Sequence, residues 1–191
     1  MKTQLHQELL LIKNDTIRKL TRSVLDAAPD CFWTMPASTT GKYHPAHSLG
    51  EGGLIRHTKA VVHLTAHLLA MEGHEPEEST YSLAIAAAIL HDCCKKGDHE
   101  QYTAFDHPLR AARLIEATYD RLAPTLPDAL ADGTTLSAVR TLCSLVKSHM
   151  GRWNLDTRSG IELPRPLTPL QRLIHTADYL ASRKQLLPDH L

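Results

Sequence analysis

The chain has no excess of charge of either sign: 21 Lys and Arg are matched by 21 Asp and Glu among 191 residues. No global positive field therefore draws it to nucleic acid or to an anionic membrane, and any polyanion must be met locally. The four cysteines, Cys31, Cys93, Cys94 and Cys143, form no CxxC pair and no even ladder of spacings. That argues against a zinc ribbon or a disulfide scaffold and suits a reducing cytoplasm. The first twenty residues carry charge throughout where a secretion signal has a short apolar core, and the longest apolar run, 83–90, is too short to span a bilayer. Internal repeats and low-complexity tracts are absent as well. These absences leave a cytoplasmic protein of one domain over 1–191, whose 42% hydrophobic composition suffices for a substantial core.

What the sequence does contain is helical periodicity. Leu5, Leu9, Ile12, Leu20 and Val24 recur at helical spacing and predict one scaffold helix over 3–27, ended by Pro29, within a scaffold segment 1–28. Residues 29–53, rich in Pro, Gly, Ser and Thr, read as a long loop of the kind that often carries function. Leu54, Val61, Leu64, Leu68 and Met71 then trace a helical face whose empty slot is filled by His57, so its imidazole is expected to point inward. Residues 82–90 are apolar on every side, as in a central buried helix, and end in His91-Asp92. Asp106-His107-Pro108 has the form of a helix start. A break marked by Pro124, Pro127 and Asp132-Gly133 precedes a helix with Leu136, Val139, Leu142 and Val146 on one face, a stripe that His149 continues. After a second loop, 151–167, Thr168-Pro169 opens a last helix bearing Leu170, Leu173, Ile174, Ala177 and Ala181 inward, with Asp178 on the same face. No strand pattern interrupts this sequence. The expected architecture is all-α, a compact bundle of about six main helices, with 54–191 as its metal-binding core.

Imidazole and carboxylate are the ligands that a divalent transition metal takes in hydrolytic chemistry. A lone histidine on an apolar face is more often a hydrogen-bonded core residue than a ligand, and Asp178 has Arg172 and Arg183 nearby as alternative partners. Four separate helices, however, each place one or two such groups on an inner face or at a core-facing end. A buried aspartate in that setting requires a compensating charge or metal.

His57, His91-Asp92 and Asp178 match the H…HD…D signature of the HD-domain metal-dependent phosphohydrolases, which the chain resembles over most of its length. GGLIRHT, ILHDCCK, SHMG and LIHTADYLASRK are similar to blocks in the catalytic domain of bacterial HD-type 3'-to-5' exoribonucleases and in small stand-alone HD proteins. The chain departs from the exoribonucleases at His149-Met150, where they often double the histidine, and within PLTPLQ, where an acidic residue is expected. The resemblance implies an all-α HD bundle in which His57, His91, Asp92 and Asp178 bind one metal, while Asp92 bridges to a second held by His107 and His149. The cofactors would be one or two divalent transition metals, Mn, Fe, Ni, Co or Zn, acting on a metal-activated water. Asp92, Lys95 and His44 would be catalytic, with His44, Lys95, Arg56 and Trp153 contacting substrate. The expected substrate is a small phosphorylated molecule, a nucleotide or short oligonucleotide, with no membrane and no long nucleic acid as partner; a homo-oligomer is left open. Two alternatives are a non-catalytic nucleotide-sensing module and a di-iron oxygenase.

Overall fold

The computed structural model describes residues 4–125 and 133–184. It is all-helical, with seven α-helices and, as the single β feature among the described residues, an isolated bridge between Leu155 and Glu162. The helices are α1 (His6–Leu10), α2 (Asp15–Ala27), α3 (Gly53–Met71), α4 (Ser79–Leu90), α5 (His107–Leu122), α6 (Gly133–Lys147) and α7 (Pro169–Ala181). Short 3-10 turns add Asp30–Trp33, Ala46–Ser48 and Ala123–Thr125.

The bundle is built around α4, which packs against α1, α2, α3, α6 and α7. Its residues from Tyr81 to Leu90 are buried without exception, so no polar face turns to solvent. Ile85, Ile89 and Leu90 are among the largest fully buried side chains. Each contributes about 1.5–3 kcal/mol of apolar transfer free energy. The chain leaves this pillar at His91, and every group of interest below sits at that end.

Three sequence expectations change in the structure. The predicted helix over 3–27 is two helices, because Asn14 caps α2 by accepting the Ile17 amide on its side-chain oxygen at 3.0 Å, and the chain turns between Leu11 and Asn14. Leu5, Leu9, Ile12, Leu20 and Val24 are nonetheless all buried, since the turn keeps the apolar stripe in phase. Met71 is 83% exposed at the end of α3, where the helix outruns the core, and Leu136 lies exposed on α6 while Val139, Leu142 and Val146 are buried. Pro127 and Asp132 of the predicted break lie outside the described residues.

The 29–52 loop is anchored rather than loose. Phe32, Trp33, Met35 and Ala37 are buried in the core. At its end Gly52 adopts a left-handed conformation as the N-cap of α3, and a Cβ on Gly53 would stand 2.2 Å from the Ser48 carbonyl oxygen. Only glycine at both positions lets the loop fold back so closely on the helix start.

Candidate metal centre

Each inward-facing histidine is delivered by the end or flank of a different helix. His57 lies on the first two turns of α3, His91 immediately follows α4, His107 begins α5, and His149 follows α6. Three of them share one local device. The Nδ1 atoms of His91, His107 and His149 lie 2.8, 2.7 and 2.8 Å from the carbonyl oxygens of Ala88, Ala104 and Val146, each three residues earlier. A carbonyl oxygen only accepts, so Nδ1 carries the proton and, in the neutral ring, Nε2 presents a lone pair. The second nitrogen of a ligating histidine is commonly held in this way, which fixes tautomer and ring orientation.

The Nε2 atoms converge on two carboxylates. Asp92 Oδ1 lies 3.0 Å from His107 Nε2 and 3.7 Å from His149 Nε2, while Oδ2 lies 3.4 Å from His91 Nε2. Asp178 Oδ1 is 3.1 Å from His57 Nε2 and 3.8 Å from His91 Nε2. The result is two trios of nitrogen and oxygen atoms, His57 with His91 and Asp92, and Asp92 with His107 and His149, each within 4.8 Å and all buried. Among the described residues His91 Nε2 and Asp92 Oδ1 have no hydrogen-bond partner. Unpartnered buried lone pairs are costly in a core and are what a cation would satisfy. The donor set fits a divalent transition metal at either trio.

The electrostatics agree with that chemistry. Burial pushes His149 down to about 3, helped by the neighbouring His91 and His107, and burial likewise lowers His57 against the opposing pull of Asp178. Burial works against ionisation of Asp92, yet Lys95 and the histidines outweigh it and hold the carboxyl well below its usual range. Asp178 is lowered in the same way by His57 and its neighbours. His91 moves upward, since Asp92 and Asp178 overcome its burial. At neutral pH the centre is thus two carboxylates among imidazoles, of which His57 and His149 are held neutral, the ionisation states in which these side chains ligate metals.

A cavity of about 540 Å³ opens onto this cluster. Lys95 reaches into it and places Nζ 2.5 Å from Asp92 Oδ2. His44 also lines it, its ring edge-on to that of His57 with centroids 5.4 Å apart. Burial and the adjacent His57 and Lys95 push His44 down to about 4, so it is a neutral imidazole at pH 7. Trp153 stands at the rim, 39% exposed. Arg56 is not brought into the cavity: its Nε and Nη2 donate to the carbonyls of His47 and Leu49, stapling the 29–52 loop to α3 from outside.

Several lining residues carry no signal in the helical periodicity. Tyr43, Arg152, Tyr179 and Arg183 complete the rim, and none of them sits in a periodic apolar stripe. His175 supports the centre from behind, donating from Nδ1 to the His149 carbonyl at 2.8 Å. That contact depends on Gly151, which has φ +58° and no side chain where a Cβ would fall 2.2 Å from the His175 ring. The glycine of SHMG was the available clue to it.

Compared with known protein families, residues 54–183 match the one described as HD domain. No curated protein and no solved structure matches the chain. The matched segment contains all six converging ligand candidates together with Lys95.

Proposed function

Because this chain belongs to the HD domain family, we propose that it is a metal-dependent phosphohydrolase that cleaves a phosphoester of a nucleotide or short oligonucleotide. The observation that carries this reading is the sharing of Asp92 between two buried trios, with its Oδ1 unpartnered. His57, His91, Asp92 and Asp178 would hold one divalent transition metal, and Asp92, His107 and His149 a second. When bound, such ions supply Lewis acidity to a phosphoryl oxygen and acidify water for attack near neutral pH.

The chain's own groups do the rest. Asp92 turns Oδ2 toward His91 and Oδ1 toward His107 and His149, and so would serve both positions. The three backbone-tethered histidines turn Nε2 toward the centre, and His149, held neutral by burial, needs no proton release before ligation. Lys95, beside Asp92, places a cation where a substrate phosphate would enter, and buried surroundings strengthen that attraction over its value in water. His44 contacts phosphate as a neutral donor, and an anionic phosphate against it raises its proton affinity, which is what donation to a leaving oxygen requires. The narrower likeness to exoribonucleases enters as a preference for diesters. The cavity, within the range of small-ligand sites, suits a short substrate.

Two measurements test this. Protein purified without chelator and with oxygen excluded is expected to carry one or two transition-metal ions per chain and to hydrolyse bis(p-nitrophenyl) phosphate or nucleotide esters. Asp92→Ala is expected to lose both ions and fall to background hydrolysis, since it alone touches both trios. Hydrolysis retained by that variant would overturn the two-metal reading, and absence of metal after readdition would overturn the enzymatic one.

A further inference from the structure

The rim of the cavity holds a cation, Arg183, with no acidic partner among the described residues. The Arg183 guanidinium lies 4.2 Å from the ring centre of Tyr179, 5.0 Å from that of Tyr43 and 5.4 Å from that of Trp153. These rings come from three separate segments: the 29–52 loop, the loop after α6, and α7 itself. The Lys184 amide donates to the Tyr43 carbonyl at 2.9 Å, which holds the loop and the end of α7 together at this point.

Aromatic faces attract a guanidinium but do not accept its in-plane N–H groups. Among the described residues Arg183 makes no ion pair, and its Nε is buried without a hydrogen-bond partner. Arg110, by contrast, is paired with both Glu100 and Asp106. Its aromatic bed therefore orients the Arg183 fork while leaving unused the edge that matches an oxyanion.

Trp153 belongs to the same bed. Its ring stacks on Tyr179 at 13° with centroids 5.6 Å apart, and the Arg152 guanidinium lies 4.5 Å from its centre. With Tyr179 and Arg152 against it, Trp153 serves to seat cations more than to offer a bare face to a base. Arg152 and Arg183 line the same cavity as Asp92 and Asp178. One molecule in this cavity can therefore present an anion to the arginines and a phosphate to the metal-ligand candidates.

We propose that Arg183, assisted by Arg152, forms a second anion subsite at the cavity mouth, so that the substrate is a short oligonucleotide carrying a further phosphate besides the scissile one. This rests on the phosphohydrolase reading for the identity of the scissile group. Lys95, beside Asp92, addresses the phosphate being cleaved.

The test compares a dinucleotide with its 5'-phosphorylated form, both bearing one internal diester. Binding to the full chain is followed by tryptophan fluorescence, because Trp153 is exposed at the rim while Trp33, the second tryptophan, is buried. The wild type is expected to bind the phosphorylated form about tenfold tighter, the scale of one charge-assisted contact. Arg183→Gln brings that ratio close to one, and Arg152→Gln lowers it partway. Equal affinities in the wild type, or a preference undiminished in Arg183→Gln, overturn the subsite. Hydrolysis of the same pair by metal-loaded enzyme separates the two ideas. Cleavage of both without a binding preference removes the subsite and keeps the enzyme, whereas an Arg183-dependent preference without cleavage of any diester keeps the subsite and removes the enzyme.

Discussion

At the scale of single residues, the centre is specified by short-range chemistry. A histidine that donates to the carbonyl three residues behind it needs no distant partner to choose its tautomer, and three of the inward histidines do this. His149→Ala is expected to weaken the second metal position selectively, leaving one ion bound and cooperative unfolding intact; metal analysis alongside a thermal melt checks this, and loss of both ions would contradict the assignment. Gly151→Ala should be worse for the fold than for the ligand list. Its new Cβ meets the His175 ring at 2.2 Å in a left-handed backbone, so the imidazole that holds the His149 carbonyl must move. Backbone strain and the lost contact together are expected to cost about 1–3 kcal/mol, read as a lowered Tm and weaker retention of the second ion.

At the scale of elements, stability rests on how helices begin and end. Asn14→Ala removes the cap of α2 and is expected to cost about 1 kcal/mol, or roughly 2–4 °C in Tm for a chain of this size, with Asn14→Asp restoring most of it. The same residue explains what the sequence concealed. The buried stripe from Leu5 to Val24 runs through the turn without losing phase, so periodicity alone reads one helix where Asn14-Asp15 starts a second. The fully apolar run of α4 was legible because no other described helix lacks a polar face, and the Thr168 cap of α7 because proline follows it at the first helical position. His57, His91, His149 and Asp178 were legible as polar breaks in apolar stripes. Arg152 and Arg183 were not, since loop and post-helical positions have no period, and their place at the rim depends on Tyr43 arriving from the far side of the chain. Exposure of Met71 was hidden for a related reason: a stripe shows which face is apolar, not where the neighbouring helices stop.

At the scale of the molecule, the contacts of α3 with α7 and of α4 with both bring His57 and Asp178 to the end of the central helix. Among the described residues no helix is long and apolar enough to cross a membrane. The buried histidines make metal-free stability depend on pH. His44, His57 and His149 lie below the ordinary value of 6.5 in the fold, so the unfolded chain takes up protons first as pH falls, and stability present above about 6.5 is lost toward about 3. Asp92 and Asp178, held low, act in the same sense at more acid pH, and His91, held high, opposes them. Denaturant titrations in chelator are therefore expected to show lower stability at about pH 5 than at about pH 7.5. No difference would mean that the imidazoles are not held neutral. The hydrogen bond from Lys184 to Tyr43 also imposes an order on biosynthesis. A polypeptide emerging from its N-terminus has five of the six inward groups translated by His149, but the Tyr43 end of the loop, already stapled by Arg56 at His47 and Leu49, gains this further tie only when the end of α7 has been made. The wall that joins Tyr43 to α7 is therefore among the last parts of the described cavity to close.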